Sequence, residues 1–171
     1  MTEPDICWRR AASFAARAHR NQVRKDGLTP YVAHVYRVAM TVRDVFGCDD
    51  HVAICAALLH DTIEDTTVDY DDLHEGFGED VARCVAALTK NAARPEPQRE
   101  KEYDEGLAKA DWRARLIKLA DALDNLMDLP TGGNRAKAIT RCRRAVSLAS
   151  GDDEPCVRRA IEIVKRAAGL D

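Results

Sequence analysis

The residues at 52–59, VAICAALL, are apolar at every position, and this run constrains the fold more than any other part of the sequence. A helix that is apolar on all sides is normally buried, so we expect neighbouring elements to cover it. We predict that this helix spans residues 52–62 and that Asp49 or Asp50 caps its start. Elsewhere the apolar residues repeat with a helical period, and no segment of useful length alternates as a strand does. The sequence therefore predicts an all-α bundle of about eight or nine helices.

The other helices are predicted from the same periodicity and from the Gly and Pro residues between them. Their approximate bounds are 5–19, 30–46, 71–75, 79–89, 99–108, 112–129, 135–149 and 154–168. The second of these has a predicted apolar face of six residues: Val35, Val38, Ala39, Val42, Val45 and Phe46. Residues 91–99 contain two prolines and several charges, so we predict a surface loop there, which is the natural candidate for a lid near any site.

The composition fits a single domain, residues 1–171, and argues against several classes of protein. There are 26 Lys and Arg residues against 29 Asp and Glu, and the resulting net charge of −3 argues against a nucleic-acid partner. No apolar run approaches the length of a membrane span, so no membrane partner is expected. None of the cysteines forms a C-x-x-C pair, which leaves a zinc ribbon or a thioredoxin-like site without support. Free cysteines are typical of a reducing compartment, and we expect a cytoplasmic protein.

Polar residues interrupt the apolar pattern at three places, and together they indicate a metal site. His60 and Asp61 end the apolar helix, His34 lies in the second helix, and Asp121 lies on a later apolar helix. A buried carboxylate is costly without a partner, which is either a divalent metal or a basic residue such as Lys118. Two histidines and two aspartates form a donor set that suits manganese, iron, zinc or cobalt better than calcium. Taken alone, the HD pair is equally consistent with a helix C-terminus and an exposed acidic loop.

An ordered series of motifs extends this pattern over about residues 14–129. They are HxxQxRKDG from His19, PYxxH from Pro30, AALLHDxxEDT from Ala56, FG at Phe77, TK at Thr89 and KLADxxxNL from Lys118. The series resembles the HD-domain metal-dependent phosphohydrolases, and most closely the hydrolase domain of the RelA/SpoT-type alarmone enzymes and their small stand-alone relatives. A lone HD dipeptide is weak evidence, whereas this ordered series is specific.

The resemblance implies an HD-type helical fold and a pyrophosphohydrolase that removes the 3′-diphosphate of guanosine 3′,5′-bis(diphosphate), ppGpp, with a metal-activated water. The implied metal is manganese, and the residues that match its ligands are His34, His60, Asp61 and Asp121. The residues that match the family's catalytic acidic pair are Glu64 and Asp65. The residues that match its nucleotide-binding positions are Arg24, Lys25 and Asn125. The match covers no synthetase domain, so any activity is expected to be hydrolysis only.

The residue types also make physical sense of these roles. A metal lowers the pKa of the water that it binds and so supplies hydroxide near neutral pH. Glu64 and Asp65 follow the HD pair by four residues, so on a continuous helix they project toward the metal and can deprotonate that water. Arg24 and Lys25 can clamp the negative charge of a phosphoryl group. The alternative for the acidic pair is an N-terminal cap region for the next helix, and without the other matches the basic pair is more simply a solvated pair in a loop.

Several departures from the family pattern concern the nucleotide more than the metal. Val35 stands where the family usually has proline, and Leu28 is a one-residue insertion in the loop that follows the basic pair. Met127 and Asp128 stand where an arginine and a small hydroxyl residue are common, so Asp128 places negative charge near the nucleotide. Two alternatives therefore stay open: an HD phosphohydrolase for another nucleotide or phosphoester, and a non-catalytic binding module that keeps the metal. The helices at 135–168 lie outside the match and are available to pack on a partner.

Overall fold

The structure is a computed structural model, and it describes residues 7–129 and 133–170. Over these residues the chain forms ten α-helical segments and one π-helical turn, and its only strand-like pairing is an isolated bridge between Val23 and Pro30. The helices are α1 (Cys7–Ala18), α2 (Val32–Met40), α3 (His51–Leu59), α4 (Thr62–Asp65), α5 (Tyr70–Phe77), α6 (Glu79–Leu88), α7 (Glu96–Lys109), α8 (Trp112–Met127), α9 (Arg135–Ala149) and α10 (Pro155–Ala168). The predicted all-α fold is confirmed. The described residues form ten α-helical segments instead of the predicted eight or nine, and one of them, α4, is a single turn. The predicted start of the first helix, residue 5, lies outside the described residues. Within the described ranges, no helix is long and apolar enough to cross a membrane.

Helix α3 is buried, as its apolar sequence predicts. Helices α1, α2, α6 and α8 pack against it, and seven of its nine residues are buried. The Asp50 carboxylate caps its start by accepting a hydrogen bond from the Ala53 N–H at 2.8 Å. The helix ends at Leu59, three residues before the predicted end, and α4 starts three residues later. His60 and Asp61 therefore form a turn between two helices, at the end of the buried helix instead of within it.

The second predicted helix is divided into α2 and a π-helical turn at Thr41–Val45. A π-helix takes more residues per turn than an α-helix, so it rotates the residues that follow. The predicted apolar face is buried at every position except Val45, which lies in the π-helical turn and is 41% exposed, so the prediction was wrong for this residue. Helix α2 also begins at Val32 instead of residue 30, because Pro30 takes part in the isolated bridge.

The predicted surface loop at 91–99 is shorter in the structure because α7 begins at Glu96. Pro95 lies just before the helix and Pro97 lies in its first turn. A proline is tolerated there because the first N–H groups of a helix have no partner within the helix. The prediction was therefore wrong for the C-terminal part of this loop, where the two prolines start a helix.

The last two helices, α9 and α10, pack on α8, and α9 also contacts α7. Helix α9 has the predicted bounds and buries a stripe of small residues, Ala138, Cys142, Ala145 and Ala149. Because α8 carries Asp121, these helices support an element that contributes to the site described next.

Candidate metal centre and active site

Four polar side chains from three parts of the fold meet at one point beside the end of α3. His34 lies on α2, His60 and Asp61 lie in the turn after α3, and Asp121 lies on α8. One ligand atom from each of His34, His60 and Asp121 lies within 4.8 Å of the others. Asp61 Oδ2 lies 3.5 Å from His34 Nε2 and 3.2 Å from His60 Nε2. The structure therefore brings together all four residues that were predicted as metal ligands.

His34 is buried, and its ring is oriented by a carboxylate that the sequence did not single out. Because a carboxylate only accepts, His34 Nδ1–H donates to Asp124 Oδ2, at 2.6 Å. Arg37 holds Asp124 in turn, through Nε at 2.6 Å and Nη2 at 3.0 Å. The other ring nitrogen, His34 Nε2, faces Asp61 and Asp121, at 3.5 and 3.4 Å, and is the one available to a metal. Histidines that bind metals almost always have such a hydrogen-bond acceptor on the other ring nitrogen.

The charges of this cluster favour a bound cation. Burial lowers the pKa of His34, but hydrogen bonds to Asp121, Asp124 and Asp61 outweigh burial and raise the pKa to about 10, so without a cation the ring also holds a proton on Nε2, which a divalent ion would replace. Burial raises the pKa of Asp121, but the Lys118 ammonium and His34 hold it well below the usual range. The carboxylates therefore remain ionised and attract positive charge, which a divalent ion can supply.

His60 supplies a direct test of whether these residues fit a metal. Its Nδ1–H donates to the Ala57 carbonyl at 2.8 Å, which directs the lone pair of Nε2 toward the cluster. That nitrogen is buried and accepts no hydrogen bond from the residues that the structure describes. Asp61 Oδ2 lies near it, but a carboxylate has no proton to donate to a lone pair. A buried acceptor without a donor is costly, and a divalent cation satisfies it, so the donor set fits a metal.

Three further side chains hold the carboxylate ligands in place. Tyr31 O–H lies 2.6 Å from Asp61 Oδ2 and 3.1 Å from Asp65 Oδ2, so one hydroxyl spans a candidate ligand and a candidate catalytic residue. Asn125 Nδ2 donates to the backbone carbonyl of Asp121 at 3.0 Å. Lys118 Nζ lies 2.8 Å from Asp121 Oδ2, which confirms Lys118 as a basic partner of Asp121.

The predicted acidic pair, Glu64 and Asp65, lies on α4 beside Asp61. Glu64 Oε2 accepts a hydrogen bond from the backbone N–H of Lys90 at 3.0 Å. Glu64 and Asp65 are exposed residues, yet partial burial of their carboxyl groups raises the pKa of both, and the neighbouring Asp61 carboxylate adds to the shift. The two residues do not cap the next helix, because the capping box of α5 is formed by Asp69 and its partner three residues later. A carboxyl group with a raised pKa beside a metal site is suited to accept a proton from water.

Two of the three predicted nucleotide-binding residues, Arg24 and Asn125, lie together. Arg24 Nη2 donates to Asn125 Oδ1 at 3.1 Å, and its guanidinium lies over the Tyr31 ring, 5.5 Å from the centroid. The side chain of Arg24 is only 9% exposed. Lys25 is exposed to solvent, so the structure does not bring it into this group.

The extra residue Leu28 is accommodated without moving Arg24 away from the site. The Asp26 carboxylate accepts hydrogen bonds from the N–H groups of Leu28 and Thr29, both at 2.9 Å, and this closes the turn. The Arg24 N–H still donates to the Thr29 carbonyl at 2.7 Å. Leu28 itself is 84% exposed, so the insertion projects away from the protein.

Asp128 is paired with two arginines instead of facing a nucleotide alone. Its Oδ2 lies 3.0 Å from Arg24 Nε and 2.7 Å from Arg37 Nη2. Arg37 thus links Asp128 to Asp124 and, through it, to His34. Sequence spacing contains a weak signal for these residues, because Arg37 follows His34 by three and Asp124 follows Asp121 by three, which places each pair on one helix face.

The helical bundle and its cluster of two histidines and two aspartates are typical of one class of proteins. Its members are all-α and hold a divalent cation with a His…His-Asp…Asp ligand set. Residues 11–146 match the family model described as HD domain. This match covers more than half of the chain, and the chain belongs to the HD-domain family.

Individual relatives support the same assignment. Over 137 residues, the chain is 42% identical to the Drosophila melanogaster protein named guanosine-3′,5′-bis(diphosphate) 3′-pyrophosphohydrolase MESH1. The aligned residues cover 77% of this chain and 76% of that protein. It is 43% identical over 120 residues to the Homo sapiens protein of the same name, with 70% and 67% covered. A solved structure described as a metazoan ortholog of SpoT that hydrolyzes ppGpp superposes with a TM-score of 0.83 at 34% identity, and both chains are covered completely.

Proposed function

We propose that this protein is a manganese-dependent pyrophosphohydrolase that removes the 3′-diphosphate from ppGpp. The observation that carries the proposal is the convergence of three groups at the end of α3: the His34, His60, Asp61 and Asp121 cluster, the acidic pair on α4, and the Arg24 guanidinium. The relatives named as ppGpp 3′-pyrophosphohydrolases, at 42% and 43% identity, support the substrate.

His34, His60, Asp61 and Asp121 are the residues proposed to hold the metal. When bound there, a divalent ion lowers the pKa of water and polarises a phosphoryl oxygen. Manganese is proposed because mixed nitrogen and oxygen donors suit it and because the family resemblance implies it. Asp124, the Ala57 carbonyl, Tyr31 and Lys118 fix the orientation of the four ligands, so the site is arranged before the ion arrives.

The acidic pair is proposed to move the proton of the attacking water. Glu64 or Asp65 accepts that proton while the water oxygen bonds to the phosphorus attached to O3′. The bond between this phosphorus and O3′ breaks, O3′ takes a proton, and the products are guanosine diphosphate and pyrophosphate. The hydrogen bonds from Lys90 N–H and Tyr31 O–H hold the two carboxylates beside Asp61 during this step.

Arg24 and Asn125 are proposed to bind the nucleotide on the side of the cluster that faces Asp128. Arg24 offers a guanidinium to a phosphate and a flat surface that lies over Tyr31. Lys25 is proposed to reach the substrate from the exposed loop, where its ammonium is free to move toward a phosphate.

The test is an assay of the purified protein with added manganese on a panel of phosphorylated nucleotides that includes ppGpp. We expect release of pyrophosphate from ppGpp and a loss of about 10²- to 10⁴-fold in kcat in the double variant Glu64→Ala with Asp65→Ala, with manganese still bound. The double variant Asp71→Ala with Glu75→Ala, an exposed acidic pair on α5, is the matched control and should keep full activity. Retained turnover in the first variant would rule out the proposed role of the acidic pair.

An HD phosphohydrolase for another nucleotide is the second candidate, and the solvent-exposed position of Lys25 favours it. Turnover of another nucleotide in preference to ppGpp on the same panel identifies this case, whereas metal binding without turnover of any phosphoester identifies a non-catalytic module.

We further propose that residues 1–171 act as one HD-type domain. We also propose that the protein is cytoplasmic, since all six cysteines are free thiols.

A further inference from the structure

Tyr103 on α7 lies at the centre of a second cluster of polar side chains, which has no role in the proposed reaction. The residue is 6% exposed, and its hydroxyl has no hydrogen-bond partner in the described part of the chain. Three cationic groups surround the ring, at distances from its centroid of 5.2 Å for Lys90 Nζ, 5.6 Å for Lys118 Nζ and 5.9 Å for the Arg144 guanidinium carbon. A buried hydroxyl without a partner is destabilising, so its retention beside three cations requires an explanation.

This cluster is continuous with the proposed active site at two points. Lys118 Nζ lies 2.8 Å from Oδ2 of the candidate metal ligand Asp121. The backbone N–H of Lys90 donates to the candidate catalytic residue Glu64 at 3.0 Å. The side chains of the two lysines are 28% and 25% exposed, so each is only partly shielded from solvent.

The cluster has unused hydrogen-bond donors and therefore suits an anion with several acceptor oxygens. Each lysine contacts one carboxylate, Glu100 at 2.7 Å or Asp121 at 2.8 Å, and an ammonium has three N–H groups, so two remain on each. Burial raises the pKa of the Tyr103 phenol, so its hydroxyl stays protonated and adds one more donor at neutral pH. Phosphate groups offer several such oxygens in a small volume.

We propose that Tyr103, Lys90 and Lys118 form a subsite for the terminal phosphate of the diphosphate group that leaves the nucleotide. This inference rests on the proposed function for the identity of the substrate. On α8, Lys118 lies three residues before Asp121 and Asn125 lies four residues after it, so the two ends of the site are about 10 Å apart along the helix axis. A nucleotide held at Arg24 and Asn125 thus extends its diphosphate past the metal ligands toward the Tyr103 cluster.

The probe is inorganic pyrophosphate, and the measurement is its dissociation constant for the manganese-loaded protein by calorimetry. Tyr103→Phe removes only the hydroxyl, and Lys90→Gln removes the ammonium but keeps the N–H that holds Glu64. We expect each change to weaken pyrophosphate binding by about tenfold, as for one hydrogen bond to a charged group, and to leave the affinity for guanosine diphosphate unchanged. Tyr70→Phe on α5 and Arg143→Gln on α9 are matched controls that alter an exposed hydroxyl contact and an exposed charge elsewhere.

The failure of this subsite and the failure of the proposed function give different results. If pyrophosphate binding is unchanged in both Tyr103→Phe and Lys90→Gln, the subsite is refuted even when ppGpp is hydrolysed. If pyrophosphate binding weakens in both but ppGpp is not a substrate, the subsite stands and only the nucleotide is wrong. Tyr103→Phe removes an unpaired buried group, so it should fold at least as stably as the original protein and keeps the test decisive if Lys90→Gln does not fold.

Discussion

The hydrogen bond between Asp124 and His34 provides the strongest single test of the metal centre. Asp124→Asn replaces a carboxylate, which can only accept, by an amide that can donate to His34 Nδ1. The histidine can then carry its proton on Nε2, which faces Asp61 and Asp121 and blocks the lone pair needed for a metal. The overall fold should tolerate this change, because Arg37 keeps its contact with Asp128 at 2.7 Å.

The size of the effect follows from the position of Asp124. It is 7% exposed and accepts bonds of 2.6 Å from His34 and of 2.6 and 3.0 Å from Arg37, so water does not replace the lost interaction. Loss of such a partner behind a metal-binding histidine typically costs 10- to 100-fold in affinity, which corresponds to about 1.4–2.8 kcal/mol. We expect the dissociation constant for manganese, measured from the paramagnetic resonance signal of free Mn²⁺, to rise by about this factor.

Asp50→Asn is the matched control for this variant. Asp50 also accepts two bonds from one arginine, Arg113, at 2.8 and 2.7 Å, but it caps α3 at the end remote from His60. It should lower the free energy of unfolding and leave manganese binding unchanged. If Asp124→Asn binds manganese within about twofold of the original protein, then Asp124 does not set the protonation state of His34.

Two further substitutions test other contacts. Burial raises the pKa of Glu100, but Lys90 and Arg144 outweigh burial and lower the pKa to about 2. The ion pairs of Glu100 therefore stabilise the folded protein fully above pH 4.5, the pKa of the unfolded chain, and this stabilisation is lost as the pH falls toward 2. In urea unfolding, the stability advantage of the original protein over Glu100→Gln should therefore shrink as pH falls below about 4.5; an advantage that does not change with pH contradicts this. Tyr31→Phe removes the hydroxyl shared by Asp61 and Asp65, and we expect it to lower kcat by about tenfold with little change in substrate KM; an unchanged kcat shows that the hydroxyl is not needed.

Local sequence patterns contain most of the information about the helices but not about their interruptions. Helix α9 has the predicted bounds because its small buried residues recur with a regular helical period. The π-helical turn at Thr41–Val45 and the turn at His60 and Asp61 were missed, because the flanking residues continue a helical pattern through both of them. In each case tertiary packing overrides the local preference, which is weak for any one residue.

Local sequence patterns likewise identify the metal ligands but not the residues that orient them. The four candidate ligands are recognisable because they carry His and Asp where the pattern is otherwise apolar. The bond between His34 and Asp124 joins residues 90 positions apart, and that between Arg37 and Asp124 joins residues 87 apart, so neither pairing is visible in local spacing. Tyr31 appears in the sequence motifs, but its contact with two carboxylates depends on how α2 and α4 pack.

The position of Asp128 changes the electrostatic expectation for an anionic substrate. From the sequence, this carboxylate adds negative charge beside a nucleotide in a protein that is already acidic. In the structure it lies between Arg24 and Arg37, at 3.0 and 2.7 Å, and together with Asp124, which Arg37 also holds, these four side chains carry a net charge of about 0. At these distances the two arginines offset the negative charge of the Asp128 carboxylate, so it repels a phosphate near Arg24 only weakly. A nucleotide that approaches Arg24 therefore does not meet an unpaired negative charge, and the replacement of a small hydroxyl residue by Asp128 is compatible with nucleotide binding as long as Arg37 is present.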